Sequence, residues 1–286
     1  MTAAPRTTLV LGGGGVAGIA WMTGLLAGLA DAGLDLRTAE TVIGTSAGST
    51  VGAQLTSGLG FEELFARQAD PALQADEIAV EFDAESFLGK WAAVAAESAS
   101  PADMRRRAGA LALAAETVPE AERRAVIASR LPVHQWPVRQ RLLIVAVDAE
   151  SGEPLVLDRE CGVPLVDAVA ASCAVPMVWP PATVDGGRRC IDGGILSNDN
   201  AQLALGTGAE RVLIVLPLPP EVMPRALGPF EDVVAALRKE GARVAVIVPD
   251  AASTEAIGSN PLDPGTRTPA AHAGRAQGRA TRLDWS

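Results

Sequence analysis

The chain contains no tyrosine, only five phenylalanines and five tryptophans, and three cysteines in 286 residues. With aromatics scarce, Ala, Val and Leu must fill most of the single sizeable core that a chain of this length can bury. Cys161, Cys173 and Cys190 form neither a disulfide framework nor a C-x-x-C metal pair, which points to a reducing cytoplasm. Positive charge is short as well: 24 Lys+Arg face 34 Asp+Glu, a net charge of −10. A field of that sign repels nucleic acid and anionic membrane surfaces, so no nucleic-acid partner is expected. The run Met104-Arg105-Arg106-Arg107 reads as a solvated helix face. The start, MTAAPRTT, has one basic residue and no signal-peptide layout. One uncharged run, Leu9 to Ala30, is long enough to span a bilayer. Its four consecutive glycines, Gly12 to Gly15, oppose a continuous helix and favour strand, turn and buried helix.

What is present alternates between strand and helix signals. Thr7 to Leu11 is a short β-branched apolar run, followed after the glycines by Ile19, Met22, Leu25, Leu26 and Leu29 at helical spacing. Thr41 to Ile43 reads as a second strand, Arg141 to Val147 as the strongest one, and Leu155 to Leu157, Val212 to Leu216 and Val244 to Val248 as others. Pro164 to Ser172 reads as a short helix, and Phe230, Val233, Val234 and Leu237 as another. Residues 61–131 are rich in Ala, Glu and Arg, divided by prolines into three or four helices, and form either a cap or a plain helical layer. The tail from about 260 to 286 either docks as a last helix or frays. The pattern predicts one α/β domain over residues 1–286, with a central, mostly parallel sheet and helices on both faces.

Three pieces carry chemistry. Gly44-Thr45-Ser46-Ala47-Gly48 fits G-x-S-x-G at a strand-to-helix turn, where a strained Ser is pushed into a pocket and small residues at Gly44 and Gly48 avoid a clash. Gly12-Gly13-Gly14-Gly15-Val16-Ala17-Gly18 lets backbone N–H groups converge into an anion nest or oxyanion hole. The same letters satisfy G-x-G-x-x-G, so nucleotide binding is a rival, but the second strand ends in Gly-Thr-Ser without the acid that reading needs. Asp192-Gly193-Gly194 suits a carboxylate aimed into a crowded site, or a simple turn.

Taken together, these pieces resemble the patatin-like phospholipase family. The order Gly13-Gly14-Gly15-Val16-Ala17-Gly18, Gly44-Thr45-Ser46-Ala47-Gly48, Asp192-Gly193-Gly194 is similar to the family's, as are Ala171-Ser172-Cys173-Ala174-Val175-Pro176, Trp179-Pro180-Pro181 and Asn198. The likeness runs from about Leu9 to Leu216. It implies a three-layer α/β sandwich, Ser46 as nucleophile, Asp192 as its sole partner, and an oxyanion hole at Gly13, Gly14 and Gly15. The implied reaction cleaves acyl esters of lipids or small molecules through an acyl-enzyme, with no metal or cofactor and with transient membrane contact at most. The family often has Arg where this chain has Ala17, which removes a positive charge from the loop.

Other readings stay open at this stage. Ser46, Asp192 and His272 stand in the order of an α/β-hydrolase triad, though His272 lies in a small-residue helical stretch; His134 reads as structural or exposed. A non-catalytic protein that binds acyl groups is a further alternative. Asp148, Glu150 and Asp158 sit in a turn segment and read as surface residues, so no metal is expected. Trp21, Trp91, Trp136 and Trp179 read as core or rim packing, with Trp179 near the pocket.

Overall fold

The computed structural model describes residues 5–80, 84–220, 227–283 and 285. Residues 1–4, where the N-terminal reading began, 81–83 inside the helical insertion, 221–226, and 284 and 286 of the tail lie outside the described residues.

The elements follow in the order β1 (Thr7–Leu11), α1 (Gly15–Asp31), β2 (Thr41–Thr45), α2 (Ala47–Leu55), α3 (Phe61–Ala69), α4 (Ala84–Glu97), α5 (Pro101–Ala114) and α6 (Glu120–Arg130). After them come β3 (Arg141–Asp148), β4 (Pro154–Leu157), α7 (Leu165–Ser172), β5 (Ala182–Val184) and β6 (Arg188–Asp192). The chain closes with β7 (Arg211–Val215), α8 (Phe230–Lys239), β8 (Arg243–Ile247), α9 (Ala251–Ile257) and α10 (Arg267–Ala280).

One sheet runs β5-β6-β3-β2-β1-β7-β8, with β4 paired to β3. Its centre, from β3 to β8, is parallel, while β4, β5 and β6 are antiparallel additions at one end. The central strands are apolar on both faces because both faces are covered. Leu9, Leu11, Leu142 and Ile144 pack into one core with α1, α2, α7 and α10. Their neighbours Val10, Ile43, Leu143, Val212 and Ile214 pack into the other with α8. Val145, Val147 and Ile191 continue that second face under Trp91 of α4 and Ala108 of α5. The result is the expected three-layer α/β arrangement.

Residues 61–131 divide by face. Helix α3 joins α1 and α10 in one layer, α4 and α5 cover β3 and β6 on the opposite face, and α6 packs on α7. The tail docks. A Cβ on Gly24 would fall 2.0 Å from the Ala271 carbonyl oxygen, and one on Gly274 2.2 Å from that of Trp21, so α1 and α10 touch backbone to backbone. The Trp21 indole N–H donates to Gln277 at 3.1 Å, and Asp31 pairs with Arg275 at 2.8 Å and Arg279 at 2.7 Å across the same contact. Among the described residues no helix is long and apolar enough to cross a membrane.

Candidate active site

Strand β2 ends at Thr45, and the chain reverses at Ser46 with φ 53° and ψ −118° before entering α2. Positive φ is strained for an L side chain and persists only where the surroundings enforce it. Close approach enforces it here. A Cβ on Gly48 would lie 1.9 Å from the Leu11 carbonyl oxygen, and one on Gly44 2.6 Å from that of Gly48. Side-chain hydrogen bonds hold the turn. The Ser46 N–H donates to Ser172 Oγ at 2.9 Å, and the Ser46 carbonyl accepts from Ser49 Oγ at 2.6 Å and Cys173 Sγ at 3.2 Å.

The sheet brings Asp192 to the same place. Thr45 pairs with Val145 of β3, and Asp192, the last residue of β6, pairs with Ala146, the next residue of β3. Asn200 Nδ2 donates to Thr45 Oγ1 at 3.0 Å and to the Gly193 carbonyl at 3.3 Å, tying the two strand ends together. Asp192 Oδ1 accepts from the Gly194 N–H at 2.7 Å, while Oδ2 is buried without a hydrogen-bond partner. Burial pushes this carboxyl up to about 7, against the pull of the Ser46 hydroxyl, the Gly194 N–H and the Arg123 guanidinium.

The glycine loop lies beside them. The Gly12 N–H donates to the Val215 carbonyl at 2.9 Å and the Gly13 N–H to the Asn198 carbonyl at 3.1 Å. Of the three N–H groups expected to face an oxyanion, that of Gly13 is therefore committed to the fold. Gly14 and Gly15 precede the first helical hydrogen bond of α1, and their N–H groups have no acceptor among the described residues. The Ala47 N–H at the start of α2 is uncommitted in the same way. Gly15 has φ 64°, and a Cβ there would fall 2.4 Å from the Pro261 carbonyl oxygen, which accepts the Ala17 N–H at 3.0 Å.

Ser46, Asp192 and the backbone of Gly13 to Gly15 line one pocket of about 110 Å³. Its walls are mostly apolar, with Phe87 and Trp91 of α4, Val175, Ile195 and Leu262 among them. Neither histidine lines it. His272 is exposed and sits edge-on to Phe65, and His134 Nε2 lies 3.0 Å from the Ala128 carbonyl. Asp148 Oδ1 accepts the N–H groups of Glu150 and Ser151, a turn, and among the described residues no side-chain cluster could hold a metal ion. Trp179 is absent from this pocket; the Arg123 guanidinium covers its ring at 3.7 Å.

Three roles escaped sequence reasoning: those of Ser172, Asn200 and Arg123. Ser172 lies inside the quoted segment around Cys173, and Asn200 stands two residues after Asn198, but only the fold reveals their partners. Arg123 lies in a charged helix whose letters read as surface.

A family model described as patatin-like phospholipase matches residues 9–205. The fold is similar to that of VipD from Legionella pneumophila, at 14% identity and TM-score 0.42, covering 90% of this chain and 54% of that one. It is also similar to the type III effector protein ExoU, at 16% identity and TM-score 0.43, covering 98% of this chain and 53% of that one. The chain thus spans about half the length of these structures. No curated protein matches it.

Proposed function

The chain belongs to the patatin-like phospholipase family, and from that premise we propose that it hydrolyses carboxylic esters, lipid acyl esters in particular, through a Ser46–Asp192 dyad. One observation carries the reading: a strained serine and a buried, half-unpaired carboxylate share an apolar pocket with two uncommitted amides.

Ser46 Oγ adds to the ester carbonyl carbon as its proton passes to the Asp192 carboxylate. The carbonyl oxygen becomes an oxyanion and accepts the uncommitted N–H of Gly15, aided by the positive end of α1. Collapse re-forms the carbonyl and expels the alcohol oxygen, which takes the proton from Asp192. Water then gives its proton to Asp192, adds to the acyl-enzyme and expels Ser46 Oγ, which recovers the proton as the acid leaves. A carboxyl with a pKa of about 7 is matched to this two-way transfer near neutrality. The apolar walls favour a hydrocarbon acyl chain over a polar one. Cytoplasmic residence and brief contact with lipid surfaces belong to the same reading.

The test is covalent labelling with a fluorophosphonate, followed by p-nitrophenyl esters of rising acyl length and then phospholipid vesicles. Labelling of wild type and none of Ser46→Ala is expected. A well-folded wild type that takes no label would leave a binding protein in place of an enzyme.

A further inference from the structure

A second void, of about 20 Å³, adjoins Ser46; Gly15, Ala47, Arg123, Cys173 and Trp179 line it together with the nucleophile. Space of that size admits one oxygen atom. Arg123 is out of place there. Its side chain is only 8% exposed, and its Nε and Nη1 are buried with no hydrogen-bond partner. The nearest carboxylate, Glu77, is 3.9 Å away. Glu77 is already engaged by Arg130 at 2.8 and 2.6 Å, with Arg267 at 3.9 Å on it as well. Three guanidinium groups thus surround one carboxylate, and a buried charge without a partner is heavily disfavoured. Burial pushes Arg123 down only to about 9, so the charge persists at pH 7. The indole of Trp179 fixes its plane at 3.7 Å. Also at the void are Gly15 and Ala47, whose N–H groups are uncommitted at the positive ends of two helices, Arg130, already paired with Glu77, and a Cys173 thiol that burial keeps protonated. Val16, Ile19, Val175 and Leu262 make most of the remaining wall.

A void one atom wide, open to Ser46 and walled largely by apolar groups with the Arg123 guanidinium among them, does not fit a whole phosphate or carboxylate. It fits an oxygen that gains charge only during reaction. We propose that the void receives the substrate carbonyl oxygen as Ser46 adds to it, and that Arg123 is a catalytic donor to the resulting oxyanion. The inference rests on the serine-nucleophile reading. It adds to that reading a charged donor drawn from α6, outside the glycine loop.

Arg123→Met, Arg123→Lys and Arg123→Ala are to be compared with wild type on a neutral p-nitrophenyl ester, after Ser46 in wild type has been titrated with fluorophosphonate. The expected result for Arg123→Met is a kcat lowered roughly 100-fold with KM nearly unchanged, the loss typical of one oxyanion donor. Arg123→Lys retains more activity than Arg123→Met, and guanidinium chloride restores part of the kcat of Arg123→Ala where sodium chloride does not. A kcat for Arg123→Met within about threefold of wild type overturns the proposal and leaves the void to a water, since a donor to the oxyanion is worth far more. A loss confined to KM or to anionic esters overturns it too. So does a lowered kcat that guanidinium cannot rescue in a variant of reduced Tm, which marks a packing role. If wild type takes no label at Ser46, the nucleophile reading itself fails; labelled wild type with indifferent Arg123 variants sinks this inference alone.

Discussion

Asp192 combines a functional demand with a stability penalty. Its carboxyl titrates at about 7 in the folded chain against an ordinary 3.8, because burial disfavours its charge. In the proposed role of proton acceptor it must be ionised, so kcat/KM is expected to rise with pH through about 7, read from initial rates on a soluble ester. Stability runs the other way. The folded state binds a proton that the unfolded state releases near pH 4, so this group's contribution is full below that pH and is lost as pH rises through about 7. Asp192→Asn should therefore abolish turnover yet raise Tm at pH 8, with the gain vanishing at pH 4; a lower Tm at pH 8 would contradict the burial argument. His272→Ala should keep most of the activity, because the ring sits on Phe65 and outside the pocket. A near-total loss there would revive the three-residue alternative.

At the scale of elements, glycines decide how closely helices approach strands and each other. Gly48→Ala drives a methyl into the Leu11 carbonyl, where helix α2 crosses β1. A destabilisation of about 3 kcal/mol or more is expected, with loss of labelling at Ser46. Gly89→Ala is the contrast. It lies in α4, exposed, with nothing within 4 Å of an added Cβ, and should stabilise by about 0.5–1 kcal/mol. Urea denaturation of both variants checks the pair. The central strands were legible in the sequence because a parallel strand covered on both faces is a continuous apolar run, as Leu142 to Val147 illustrates. Strands β5 and β6 were not. They are three and five residues long, and β6 opens on Arg188 and Arg189, which read as loop. The reversal at Ser46 could be read from its glycines, since steric clearance is local. The placement of Arg123 could not, because nothing in α6 records that α7 and Trp179 lie across from it.

For the molecule as a whole, the net charge of −10 sets how it meets lipid. Like charges repel across roughly a Debye length, about 10 Å at 0.1 M salt. Hydrolysis of vesicles is therefore expected to be faster on zwitterionic than on anionic surfaces at low ionic strength, with the gap narrowing as salt is added. Equal rates at low salt would place a local basic contact above the overall field. The candidate run Arg105 to Arg107 is poorly suited to that contact. Arg106 and Arg107 pair with Asp103, and Arg105 Nε donates to the Gly152 carbonyl.

Pro261 anchors the glycine loop through the Ala17 amide, and Leu262 completes a wall of the pocket. Both lie far beyond Ser46 in the sequence, so a chain still emerging from the ribosome exposes Ser46 before this cradle is whole. The pocket of the proposed hydrolase is therefore complete only once those later residues have joined it.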